Sequence, residues 1–314
     1  MTRFGFQIPN FTFDVPDAEL FGKVVELART AEGAGFDSVW VMDHLYQLPP
    51  LGGPDRPMLE AYTTLGALAA STSTIKLGAL VTGVTYRNPA LLAKIVTTLD
   101  VISRGRAILG LGAAWYDVEH EGLGFDFPSD RERLDRLEEA VQICRAMFTE
   151  DAPTFDGKHY RVHGARNVPR PIQAGGIPIM IGGGGEKRTL RLVAQYADMC
   201  NFFGDAAMTR HKLDTLRRHC AEVGRSYEEI TPSRLATMVL TQSEEQSSQM
   251  REMLENAAGR QSATGFNVGT EKEIISQIEE LIDAGMQYFI FNMPLSDASV
   301  VRRVGEMLTE RFET

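Results

Sequence analysis

Cysteine is scarce. The 314 residues carry three, Cys144, Cys200 and Cys220, far apart and without a C-x-x-C pair. That argues against a disulfide framework or a zinc site and suits a reducing, cytoplasmic setting. Long apolar runs are also missing. None approaches the ~18 residues of a membrane span, and MTRFGFQIPN at the start has no secretion-signal core. Positive charge is in deficit, with 32 Lys and Arg against 42 Asp and Glu for a net charge of −10. Nucleic acid and anionic membrane, which both need a basic surface, are therefore not expected partners. No G-x-G-x-x-G follows the first strand pattern, which weakens a doubly wound dinucleotide fold.

What is present is a rhythm. Ile75, Leu77, Ala79, Leu80 and Val81 form an apolar run that breaks at Thr82-Gly83-Val84-Thr85, and Asn88-Pro89 then opens a helix. A lone glycine in such a pattern marks a bulge or a close approach to the backbone. Seven similar strand-then-helix units surround this one. Strands are expected over 4–8, 38–42, 107–111, 177–181, 198–203, 234–240 and 288–293. Helices are expected over 17–34, 59–70, 89–102, 129–148, 186–196, 208–223, 243–257 and 270–283, with one more closing the chain. Residues 154–164 read as a hairpin turning at Asp156-Gly157. Eight units with longer strand-to-helix loops predict an α/β protein, a (β/α)₈ TIM barrel. It forms one domain over 1–314, with excursions near 46–57, 150–175 and 258–269.

In such a barrel the loops after the strands hold the site. His44, at a strand end, has the chemistry of a general base, and Asp43 or a backbone carbonyl would fix its tautomer. Gly182, Gly183, Gly184 and Gly185, ahead of a helix, could cradle a phosphate or form a plain flexible turn. Trp115 and Tyr116 could flank a planar ring or anchor the loop. Glu119, His120 and Glu121 form a polar cluster without ligand spacing, so no metal is expected.

Five segments in order resemble the bacterial luciferase-like flavin and deazaflavin oxidoreductases. They are SVWVMDH from Ser38, the stretch from Leu77 to Pro89, Leu99-Asp100 with Ser103, Gly105 and Arg106, GLGAAW from Gly110, and IPIMIGGGG from Ile177. The resemblance implies a barrel whose cofactor lies over the C-terminal mouth. By it, Gly83-Val84 carries a non-proline cis peptide bulging against the ring. His44 and Asp43 are then catalytic. Thr82, Gly83, Val84, Ala113, Trp115 and Gly182 to Gly185 bind the cofactor, the glycines at its phosphate.

GLGAAW with DHLY resembles the coenzyme F420 branch, which transfers hydride; the FMN branch, mostly monooxygenases, is the alternative. Arg87, Lys187 and Arg188 are candidate cations for the phosphate. The resemblance further implies a small-molecule substrate chosen by loops 46–57, 116–128 and 259–269, a homodimer, and a separate flavin or F420 reductase as a possible partner. Two other readings rank lower. A non-catalytic flavin-binding protein would keep the barrel without turnover. A phosphosugar aldolase or isomerase would need a lysine or glutamate at a strand end, where this chain offers Asp43, His44, Asn201 and Asn292.

Overall fold

A computed structural model of the chain describes residues 2–258, 264–294 and 297–312. β1 (Arg3–Ile8) leads to α1 (Asp17–Gly33), whose Leu20, Val24, Leu27, Ala28 and Ala31 bury one helical stripe. β2 (Ser38–Val41) and α2 (Ala61–Ser71) follow. The third barrel strand is split into β3 (Lys76–Ala79) and β4 (Thr82–Gly83). α3 (Pro89–Ser103) starts at a proline, with the Asn88 side chain accepting from the Ala90 N–H at 2.9 Å.

β5 (Ala107–Gly112) precedes a short helix α4 (Asp117–Leu123) and the long α5 (Asp130–Thr149). A hairpin of β6 (Phe155–Asp156) and β7 (Arg161–Val162) comes next; its turn spans 157–160 and shares Gly157 with the expected Asp156-Gly157. Then come β8 (Ile179–Gly182), α6 (Thr189–Tyr196), β9 (Met199–Asn201) and α7 (Ala206–Val223). β10 (Thr231–Leu240), α8 (Glu244–Ala258), β11 (Phe266–Gly269), α9 (Glu271–Asp283), β12 (Tyr288–Asn292) and α10 (Ala298–Phe312) complete the chain. The excursion expected at 258–269 lies partly outside the described residues.

The strands close in the order β12-β1-β2-β3-β5-β8-β9-β10, with β10 returning to β12, and β4 extending the third strand against β5. Each of these pairings is parallel, so this is the expected (β/α)₈ barrel. Two structures depart from expectation. α4 occupies a stretch read as loop. β11 pairs with the overhang of β10, residues 237–240, outside the barrel.

Alternation along the strands makes two cores. Outward residues pack under the helices; inward ones form a separate cluster of Trp40, Leu80, Ile108, Met180, Met199, Tyr288 and Ile290. Trp40 fits because Gly78 has no side chain: a Cβ there would lie 2.5 Å from the indole Cζ3. At the opposite end of the barrel from the mouth, Asp100 accepts from the Ile172 N–H at 2.7 Å and the Gln173 amide at 2.7 Å. Arg106 donates to the carbonyls of Ala69, Thr72 and Ile75. That segment of the sequence pattern therefore fastens the fold and lies away from the site.

Candidate active site

β2 delivers Asp43 and His44 to the mouth, and α4 brings Glu119 to meet His44. His44 Nδ1 lies 2.8 Å from Glu119 Oε1, which also accepts from the Tyr86 hydroxyl. Glu119 Oε2 accepts from the backbone N–H groups of Leu45 at 2.6 Å and Tyr46 at 3.0 Å. Glu119 is fully buried. Burial opposes its charge, but hydrogen bonds from His44, Tyr86 and Leu45 prevail and hold the carboxyl below its ordinary value. An ionised Glu119 can only accept, so Nδ1 carries a proton, and a neutral imidazole held this way has its lone pair on Nε2. The imidazole keeps 16% of its surface exposed, and Nε2 has no protein partner among the described residues. Trp115 and Tyr116 stand edge-on to it, with ring centroids 5.5 and 5.8 Å away.

The tautomer is thus fixed by Glu119, not by Asp43 or a backbone carbonyl. Asp43 turns the other way: Oδ2 accepts from Arg87 Nη1 at 2.7 Å and the Gly83 N–H at 3.1 Å, while buried Oδ1 has no partner among the described residues. Burial pushes Asp43 up to about 6, against the pull of Arg87 and Gly83. Arg87 also donates to Glu60 at 2.6 Å and lies over the Tyr62 ring, so it is not free to meet a phosphate. His120 is engaged at both nitrogens, with Thr85 Oγ1 and the Tyr116 carbonyl, each at 2.7 Å.

The non-proline cis peptide is at Leu80–Val81, three residues before the expected Gly83–Val84, which is not cis. Its surroundings are glycines from neighbouring strands. A Cβ on Gly112 would lie 2.6 Å from Val81 Cγ2, and one on Gly182 2.8 Å from the same atom. Val81 thus fills space that β5 and β8 leave open, a signal spread over three strands and hidden from a local reading. Gly83 has a different reason to be glycine: the Tyr86 ring occupies its Cβ position, 2.6 Å away. Thr82 is fully buried with its hydroxyl 2.6 Å from that of Tyr62, and Val84 is buried too, its N–H on the Gly112 carbonyl. Ala113 is partly buried, its carbonyl held by Arg133, and Trp115 is 62% exposed beside His44.

The glycine run closes β8. Gly182 ends the strand, and Gly183 takes a left-handed φ of 121° with its N–H on the Asn201 carbonyl. The helix begins at Thr189, not at Glu186 as expected, which leaves a longer turn. The N–H groups of Gly184 and Gly185 donate to no acceptor among the described residues. A Cβ on Gly184 would have space, 3.5 Å from Phe202 Cβ. Lys212 Nζ reaches the turn, donating to the Gly184 carbonyl and to Glu186 Oε1, both at 2.7 Å. These groups fit an anionic phosphate: open N–H donors, room, and a nearby ammonium. Arg188 is paired with Asp135 at 2.6 Å, and Lys187 is exposed. Lys212 escaped the sequence reading because it sits inside a helix, 28 residues beyond Gly184. Of two surface cavities, one of about 540 Å³ lies between α1 and α10 and one of about 300 Å³ between α1, the end of β1 with the loop after it, and the segment after β12; neither lining includes His44 or the glycines.

The chain is similar to an F420-dependent glucose-6-phosphate dehydrogenase of Nocardia farcinica, 31% identical over 317 residues, covering 89% of this chain and 91% of that one. A protein of the same name from Kineococcus radiotolerans is 38% identical over 165 residues. That match covers 52% of this chain and about half of the relative, 47%. Among solved structures, the coenzyme F420 dependent tetrahydromethanopterin reductase from Methanopyrus kandleri superposes with a TM-score of 0.79 over 99% of both chains, at 19% identity. The luciferase-like monooxygenase family pattern matches residues 2–252, and the chain belongs to that family.

Proposed function

We propose that this protein is a coenzyme F420-dependent oxidoreductase that moves hydride between the deazaflavin and the carbinol carbon of a small organic substrate. The observation that carries the reading is the buried Glu119 carboxylate on His44 Nδ1, with Nε2 free at the mouth. The named relatives with F420 activity support it. The deazaflavin would accept or supply the hydride. Every other part of the chemistry falls to the chain. His44 Nε2 takes the hydroxyl proton of an alcohol, and Glu119 stabilises the imidazolium that forms. Leu45 and Tyr46 N–H groups hold Glu119, and the Trp115 and Tyr116 edges hold the imidazole plane. The open N–H groups of Gly184 and Gly185, with Lys212, hold the cofactor phosphate.

The family's monooxygenases make FMN the second reading. Titration of the purified protein with each cofactor, followed by fluorescence, separates the two. Saturable binding of F420 with none of FMN is expected; the reverse would reassign the protein to flavin chemistry.

A further inference from the structure

Lys212 is the one ammonium brought against the glycine turn in the described structure, and it already has an anion. Glu186, the first residue after the glycines, places Oε1 2.7 Å from Lys212 Nζ and 3.1 Å from His211 Nε2. The backbone of Glu186 is pinned separately, its carbonyl accepting from His219 Nε2 at 2.8 Å. Its side chain is 40% exposed, whereas Lys212 is 17% exposed and fixed by its second bond to the Gly184 carbonyl. A partly buried, oriented cation is therefore covered by a carboxylate whose main chain is fixed and whose side chain can swing into water. The N–H donors of Gly184 and Gly185 stay open beside it. Lys212 and His211 hold the Glu186 carboxyl below its ordinary value, so it is charged at neutral pH.

We propose that Glu186 is a built-in competitor for the anion the glycine turn receives: the incoming cofactor phosphate displaces the carboxylate from Lys212, and Glu186 re-covers the ammonium when the ligand leaves. This rests on the phosphate site named under Proposed function and adds a gate to it. A tethered carboxylate competes at a high effective concentration, yet a pair this exposed shifts an equilibrium only by a factor of roughly 1.5–5. The F420 phosphate, a diester with one charge and two free oxygens, meets Lys212 and the open Gly184 and Gly185 N–H donors together, which the carboxylate does not, and so wins that exchange while remaining releasable.

The test measures binding, with no turnover. F420, the 5′-monophosphate of its deazaflavin nucleoside and the nucleoside itself are titrated by fluorescence into wild type, Glu186→Gln and Lys212→Gln, with folding checked by near-ultraviolet circular dichroism. Glu186→Gln should tighten F420 and the monophosphate alike, by roughly 2- to 5-fold, and leave the nucleoside unchanged. Lys212→Gln should weaken F420 selectively. Unchanged or weaker F420 binding in folded Glu186→Gln would overturn the gate while leaving the cofactor assignment intact. If wild type binds FMN in place of F420, the cofactor reading falls. The gate is then judged by the same comparison of FMN with riboflavin: selective tightening of FMN upholds it, and equal change in both overturns it.

Discussion

Asp43 is buried with one oxygen unpaired, and burial raises it to about 6 despite Arg87. An unfolded Asp titrates near ~3.9. The folded value lies above the unfolded one, so protonation favours the fold. This contribution is complete below about pH 4 and is lost as pH rises through about 6, amounting to about 3 kcal/mol at most. Asp43→Asn imitates the protonated form and removes that dependence. Groups such as Glu119 and Glu60, held low, lose their contribution as pH falls, but they do so in both proteins and largely cancel. Denaturation of the two proteins between pH 4.5 and 7.5 should show the stability of the variant relative to wild type rising with pH. A pH-independent difference would mean that Asp43 is ionised throughout. At this same scale, His44 was legible because a polar residue ending an apolar strand reaches a barrel mouth. Its partner was not. Glu119 lies 75 residues away in the chain and is identified only by where α4 puts it.

The elements were read well where they carry an apolar period, and poorly where they do not. α1 shows its buried stripe in the sequence. α4 hides, because its apolar Val118 and Leu123 are exposed while its buried residues are Glu119 and His120. β11 lies outside the eight barrel units and, among the described residues, pairs only with the end of β10, so the barrel rhythm does not announce it. The break between β3 and β4 was legible, but its centre was not, since the space for Val81 comes from β5 and β8. That packing can be tested. Gly112→Ala would push a Cβ into Val81 and should cost about 1–3 kcal/mol. Val81→Ala in the same chain should recover much of that loss, because the obstacle is the valine side chain. Gly110→Ala should resist the same rescue, since its Cβ would meet the Ala79 carbonyl oxygen at 2.2 Å. Equal rescue of both in denaturant titrations would contradict this account of the glycines.

At the scale of the whole molecule, barrel closure assembles what the chain keeps apart. His44, Tyr86 and Glu119 come from three strand-to-helix connections. Gly184 comes from a fourth, and Lys212 from within α7. The net charge of −10 leaves little general attraction for an anionic ligand. An anionic cofactor must therefore be held by local groups, and the glycine turn with Lys212 supplies them. The central claim is that His44, set by Glu119, moves the proton that accompanies hydride transfer. It is tested most directly by following F420 reduction spectroscopically with a panel of small alcohols, in wild type and in His44→Ala. The account predicts that turnover falls by roughly 10²–10⁴-fold while F420 affinity is preserved. Near-wild-type turnover in His44→Ala, with the variant folded and F420 bound, would contradict it and leave His44 as a packing residue.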